Sequence, residues 1–254
     1  MKIFFTNIFV LFFLVTLSQE KFTNINGQKF RIKTLGEGDV TVLFENGMSD
    51  SLEVWGAIPD SVAKFAKVFL YDRADIGKSD LSRQERTIPN MVSELRSILR
   101  EENIRPPYIL VGHSLGGVID RYFASEHPGE VLGMLLCDPS AESYWENMSK
   151  RELKKYIEGG TQWYETRFKP QYRKEWYQFI HNLNYMNELN IPKDMPVILL
   201  SAKQIEWSKY QPDIIDGFTN AKLVKLKGDH YTHIAHSNLT LNWIKELVDN
   251  ARNK

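Results

Sequence analysis

Short apolar runs alternate with longer amphipathic ones along most of the chain. Thr41 to Phe44, Lys67 to Tyr71, Tyr108 to Val111, Val131 to Cys137, Val197 to Ser201 and Ala221 to Lys227 read as strands. Four of these are nearly continuous apolar runs, the pattern of strands covered on both faces. The segments between them carry helical spacing. Thr87 can cap a helix with Pro89 in its first turn, and Val92, Leu95, Ile98 and Leu99 form its buried stripe. Leu239, Trp243, Ile244, Leu247 and Val248 give the last helix a similar stripe. Strand and helix alternating in this way predict an α/β fold, a mainly parallel sheet with helices on both faces.

Two stretches break the rhythm. The segment from Ser140 to Asn190 separates two strands by far more than a plain crossover and holds eleven aromatic residues, about twice an even share. It is expected to be a helical cap inserted between core segments 19–139 and 191–254. Most of its rings should serve packing. The other stretch is the first eighteen residues. Lys2 precedes a run of Phe, Leu, Ile and Val that ends in small residues at Thr16 and Ser18. That is the layout of a cleaved secretory signal peptide, so the chain is expected to be secreted or periplasmic. The run is shorter than the ~20 apolar residues of a spanning helix. An uncleaved N-terminal anchor is the alternative; after cleavage no stable membrane anchor is expected.

Charge and cysteine content narrow the function classes. Lys plus Arg and Asp plus Glu both number 32, which argues against a nucleic-acid binder. Cys137 is the sole cysteine, so neither an intramolecular disulfide nor a cysteine-based metal cluster can form. His230, His233 and His236 are spaced by threes, but the third member turns away from a shared helical face and no H-E-x-x-H pattern accompanies them. No metal and no cofactor are expected.

The strongest chemical signal is Tyr108 to Gly117, a strand followed by Gly112-x-Ser114-x-Gly116 and the start of a helix. A sharp strand-to-helix turn holds its serine in a strained conformation and needs small neighbours, which Gly112, Gly116 and Gly117 provide. A serine nucleophile needs a base. Of the six histidines, His230 comes first after the last strand, where a parallel sheet presents its chemistry. His113 adjoins the serine but should point elsewhere, and His127 suits a helix C-terminus.

These motifs resemble the α/β-hydrolase fold superfamily over nearly the whole chain after the leader. Gly112 to Gly117 is similar to the GHSLGG of esterases and lipases. Phe44 to Met48 resembles the oxyanion loop, with Asn46 where a histidine is usual. Tyr71 to Asp80 resembles YDRxGxGxSD, with Asp75 in place of a glycine, and Gly228 to His233 is similar to GxGHxxH. The resemblance implies a serine hydrolase acting on a small-molecule acyl substrate. Ser114 would attack and His230 relay the proton, while the N–H groups of Met48 and Leu115 form the oxyanion hole. The usual site of the acid falls here on Ile205, which cannot accept a hydrogen bond. Asp138, at the end of a strand, is therefore the favoured acid and Glu206 the alternative. The cap would roof an acyl pocket through Trp163, Trp176 and Tyr177. The fold alone does not fix the substrate. The reading from a different class is a small-ligand binder of this fold that turns over slowly or not at all.

Overall fold

The computed structural model describes residues 19–187 and 189–253. The expected leader, residues 1–18, lies outside them. Eight strands form one sheet: β1 (Gln19–Ile25), β2 (Gln28–Leu35), β3 (Thr41–Glu45), β4 (Lys67–Tyr71), β5 (Tyr108–His113), β6 (Val131–Cys137), β7 (Val197–Ala202) and β8 (Ala221–Leu226). Their spatial order is β1-β2-β4-β3-β5-β6-β7-β8. β1 and β2 pair antiparallel, as do β2 and β4, and every other neighbouring pair is parallel.

The burial of each strand follows from its place. β3 and β5, in the middle, are buried at every position, as continuous apolar runs require. β8 lies at the edge and alternates between half-buried and exposed positions, which fits its interleaved lysines. The hairpin β1–β2 is not among the strands expected from the apolar runs. β1 carries few apolar residues and β2 alternates apolar with charged from Lys29 to Lys33, and Asn26 and Gly27 both take positive φ (52° and 78°) at the turn. An Asn-Gly pair with that backbone suits the tight turn between antiparallel strands.

Helices cover both faces. On one face, α2 (Ile88–Glu101) and α3 (Leu115–Glu126) bury Met91, Leu95, Val118, Ile119 and Phe123 against the sheet. On the other, α1 (Ile58–Val62) and the last helix, α8 (Ser237–Arg252), bury Val62, Ile244, Leu247 and Val248. Thr87 caps α2 as expected, its side chain accepting from the Asn90 N–H.

The segment between β6 and β7 is helical: α4 (Glu142–Glu146), α5 (Lys150–Arg167) and α6 (Lys174–Leu183). α6 presses Trp176, Phe179 and Leu183 onto the core face shared with α2 and α3. α5 has a complete capping box at Ser149 and Glu152, yet none of its residues is fully buried. It rests on α6 chiefly through rings. Tyr164 stacks on Trp176 at 5.0 Å, and Trp176 on Phe179 at 6.0 Å. The indole of Trp176 lies so close to Gly160 that a Cβ there would collide with it. A Cβ on the neighbouring Gly159 would meet nothing within 4 Å.

This contrast makes a paired prediction. Both Gly→Ala changes gain helix propensity, about 1 kcal/mol each. Gly159→Ala should therefore stabilise the protein by roughly that amount. Gly160→Ala should destabilise it, because overpacking of about 1–3 kcal/mol outweighs the gain. Thermal melts of the two variants, with near-UV circular dichroism reporting Trp176, check the opposite signs.

Candidate active site

Four segments converge at the C-terminal edge of the parallel strands: the turn after β3, the β5–α3 junction, the end of β6, and the loop after β8. Ser114 sits at the junction with φ 53° and ψ −115°. A side-chain-bearing residue in that region stores strain on the order of 1–3 kcal/mol, tolerated where surroundings enforce it. Here the Ser114 N–H donates to the Cys137 carbonyl (3.0 Å), and the Gly117 N–H returns to the Ser114 carbonyl (3.1 Å). Gly116 packs against the backbone of Glu45 and Asn46 so closely that no Cβ would fit. The start of α3 is thereby brought against the turn after β3. Leu115 and Met48 lie on these adjoining segments, and the Leu115 N–H belongs to a first helical turn, whose donors lack partners within the helix.

The loop after β8 brings His230 to the same edge. Its Nδ1 lies 2.6 Å from Asp138 Oδ2. Asp138 follows β6 directly, is fully buried and has φ 45°. Its other oxygen accepts from the Ala202 N–H (2.9 Å) and from Gln211 Nε2 (2.8 Å). A carboxylate with three hydrogen bonds is well accommodated despite burial. Because a carboxylate only accepts, Nδ1 carries the ring proton and Nε2 keeps a lone pair. Among the described residues no hydrogen bond joins that ring to the Ser114 hydroxyl, which is half-buried. Glu206, the alternative acid, is brought elsewhere. It is exposed and accepts from the Tyr144 hydroxyl. Its neighbour Trp207 instead meets the His230 ring edge-on at 5.3 Å.

The other two histidines of the loop diverge. His233, on the short helix α7 (Thr232–Ala235), is buried and points Nε2 at the Val54 carbonyl (3.3 Å). His236 points Nε2 at the Lys227 carbonyl (2.7 Å). Three imidazoles with three separate partners do not make a metal site, and the described residues contain no cluster suited to one.

The three cap rings expected to touch substrate separate. Trp176 is 7% exposed and stacked inside the cap, whereas Trp163 is 44% exposed and Tyr177 52%. Tyr177 donates to Glu165, and Arg167 lies over the Trp163 ring, both on the outer surface. The rings that touch His230 are His113, Trp207 and Tyr231, and Trp207 in turn packs on Tyr144 and Trp145 of the segment after β6.

Arg73, Glu175 and Gln211 were not singled out in the sequence. Arg73 is buried and directs five hydrogen bonds: Nη1 to Glu45 Oε1 and the Asn46 carbonyl, Nη2 to the Gly47 carbonyl and Glu175 Oε2, Nε to Glu175 Oε1. Glu175, on α6, also accepts from the Ser49 N–H (2.9 Å). Burial works to raise its carboxyl, but the Arg73 guanidinium outweighs that and holds it below its ordinary value. Asn46, where the resemblance led one to expect histidine, faces the core. It donates to the Tyr71 carbonyl (2.9 Å) and accepts from Trp55 Nε1 (2.8 Å). A signal for Arg73 and Glu175 was available only in part. Arg73 lies inside the motif from Tyr71 to Asp80, but nothing in that motif points to a residue on the cap.

A family model described as alpha/beta hydrolase fold matches residues 40–213. The chain belongs to this family. The uncharacterized protein YqjL of Bacillus subtilis is 38% identical over 122 residues, 48% of this chain and 48% of YqjL. YbdG of the same organism is 29% identical over 118 residues, 45% of this chain and 36% of YbdG. The match thus spans about half or less of these curated relatives. Among solved hydrolase-fold structures, mouse alpha/beta hydrolase domain-containing protein 10 superposes with a TM-score of 0.73 at 22% identity, over 92% of this chain and 99% of that one. The enol-lactonase from Burkholderia xenovorans gives 0.68 at 14% identity, over 90% and 100%. Likeness at such identities speaks for the shared fold.

One acid beside the site has an unusual position. Asp50 closes the turn after β3, its N–H donating to the Gly47 carbonyl (3.2 Å). Burial lifts its carboxyl to about 6; Arg73, His230 and His233 pull the other way, and Glu175 adds to the rise. Below pH about 4 the folded and unfolded states both hold the proton. Between there and pH about 6 the unfolded chain releases it first, so stability declines as pH rises and the full loss persists above 6. Asp50→Asn carries no such dependence. Urea titrations should show the stability of Asp50→Asn relative to wild type improving between pH 4 and 8, by up to about 3 kcal/mol. A constant difference across that range would contradict the assignment.

Proposed function

We propose that the protein is an exported serine hydrolase that cleaves a carboxylic ester or a related acyl bond. The observation that carries this reading is the conjunction at one sheet edge of Ser114, at positive φ on the strand-to-helix turn, and the His230–Asp138 pair.

In this reading Ser114 Oγ attacks the acyl carbon while its proton passes to His230 Nε2. Asp138 keeps Nδ1 protonated and stabilises the imidazolium that forms. The charge gathering on the former carbonyl oxygen is met by the N–H groups of Met48 and Leu115. Collapse of the tetrahedral species expels the alcohol, which takes the proton from His230. Water, deprotonated by the same ring, then attacks the acyl-enzyme, releases the acid and restores Ser114. Backbone donors supply the oxyanion contacts, so Asn46, with both side-chain polar atoms turned into the core, is compatible with this chemistry. Trp207, which meets the His230 ring edge-on, and Tyr144 packed on it are both half-buried and suit an apolar acyl group. The enol-lactonase among the similar structures is named for action on a cyclic ester, which is in keeping with acyl-bond cleavage. Export rests on the character of residues 1–18, and the first residue of the secreted protein by mass spectrometry is expected to be Gln19.

Initial rates on p-nitrophenyl esters of graded chain length test the reading. Ser114→Ala should remove turnover and labelling by a fluorophosphonate while leaving the fold intact. Asp138→Asn should lower kcat by about 10⁴, the scale seen when the histidine of such a triad is left in the wrong tautomer. Glu206→Gln should stay near wild type. Wild-type turnover by a folded Ser114→Ala protein would end the proposal, and the reverse order for the two acid variants would reassign the acid.

A further inference from the structure

One imidazole touches three of the segments that build the site. His113, directly before Ser114, is buried, and its ring centroid lies 4.5 Å from that of His230, 4.5 Å from that of His233 and 5.0 Å from that of Tyr231. Its Nε2 is 3.0 Å from the backbone carbonyl of His230. A carbonyl can only accept, so Nε2 carries a proton and donates. Burial, with the adjacent His230 second, keeps the ring neutral down to about pH 3, which leaves Nδ1 as a bare acceptor. That nitrogen is buried and has no hydrogen-bond partner. The polar atom facing it is Asp50 Oδ2 at 3.6 Å, reaching across Gly47, whose hydrogen leaves room for both groups. An ionised carboxylate would repel the lone pair, whereas a carboxylic acid would donate to it.

The geometry points to His113 as the positioning residue that holds the His230 backbone in place, with the acid form of Asp50 completing its hydrogen bonding. The chain of contacts runs from Asp50 Oδ2, which stands 3.6 Å from His113 Nδ1 and needs a small approach to donate its acid proton there, to the hydrogen bond from His113 Nε2–H to the His230 carbonyl. It ties the turn that carries Met48 to the loop that carries the base. The groups facing Asp50 are Arg73 after β4, Glu175 on α6, Tyr164 on α5, His230 and Tyr231 in the loop after β8, and His233 on α7. Of these, Arg73 is committed to Glu45 and Glu175, so it does not neutralise Asp50 at contact range. The catalytic consequence rests on the serine-hydrolase reading, but the positioning itself does not.

Full-length protein labelled with ¹⁵N separates the two. The primary readout is the low-field resonance of the His230 Nδ1 proton shared with Asp138; ester hydrolysis is the second. His113→Phe keeps a ring and loses the donor. It should broaden that resonance away and lower kcat by about tenfold or more, the order expected of a misplaced catalytic group, with KM little changed. His113→Gln restores an N–H where Nε2 stood and should recover both. Asp50→Asn donates an amide N–H to Nδ1 at every pH, so its kcat relative to wild type should climb between pH 5 and 8 as wild-type Asp50 ionises. A folded His113→Phe protein that keeps the resonance and kcat overturns the proposal. If that variant does not fold, a pH-independent ratio for Asp50→Asn overturns it instead. Should no form of the protein hydrolyse an ester, the resonance alone decides the positioning, and the hydrolase reading fails separately.

Discussion

The guanidinium of Arg73 is the point on which the site and the cap both depend. Its N–H groups are all engaged, two on backbone carbonyls of the turn after β3 and three on carboxylates. Holding the carbonyls of Asn46 and Gly47 inward fixes the peptide planes of a turn that has no strand neighbour at that level. The same cation makes it feasible to bury Glu175, and through Glu175 the cap is joined to the Ser49 N–H of that turn. A single cation does not satisfy two buried acids equally. Glu175 is held below its ordinary value, while Glu45 is left above its own because burial dominates there despite Arg73. Buried ion pairs often add little net stability, since desolvation offsets attraction. What this one contributes is a unique geometry, because a planar fork with five bonds admits one arrangement of its partners.

The parallel strands set where that geometry is needed. Within the register, His113 pairs with Cys137 and Cys137 with Leu200, so the ends of β5, β6 and β7 lie side by side. Ser114 and Asp138 each follow the last residue of a strand, and each has positive φ. Both are tied back to a neighbouring strand by their own N–H, Ser114 to Cys137 and Asp138 to Leu200. The backbone strain at these two residues is thus borne by the sheet, whose hydrogen bonds continue past the point where each chain turns.

Much of this was legible because burial on both faces writes itself into sequence. The central strands are unbroken apolar runs and were located closely; Ser114 lies where one of those runs stops, and His230 lies in the loop after the lysine-bearing edge strand β8. The hairpin of β1 and β2 was not read, although Asn26-Gly27 marks its turn, because polar and charged residues interrupt every apolar run in it. The aromatic content marked the segment between β6 and β7 that the structure shows as helical, but which of its rings face inward was not legible. α5 has no fully buried residue, so its periodicity does not separate Trp163 from the rings that pack. Asp138 was within reach as a carboxylate ending a strand. Gln211, which fixes the other oxygen of Asp138 from seventy-three residues away, was not, nor was Glu175, which meets Arg73 across one hundred and two. Such partners are set by tertiary closure and leave no local pattern.

The distribution of protons among the histidines follows from the same rule of partners. His113, His233 and His236 each face a backbone carbonyl, so the nitrogen in that contact must hold a proton. For His113 and His233 the remaining nitrogen is buried, and burial keeps both rings neutral to about pH 3. Neither ring therefore carries a charge near neutral pH. His230 is hydrogen-bonded to its carboxylate at 2.6 Å, whereas Asp50 stands 3.6 Å from His113, and the His230 ring is partly exposed. The neutral imidazole of His113 packed beside it adds contact without adding charge. Of the three imidazoles in contact at this edge, His230 is thus the one left partly exposed, as its proposed role of base requires.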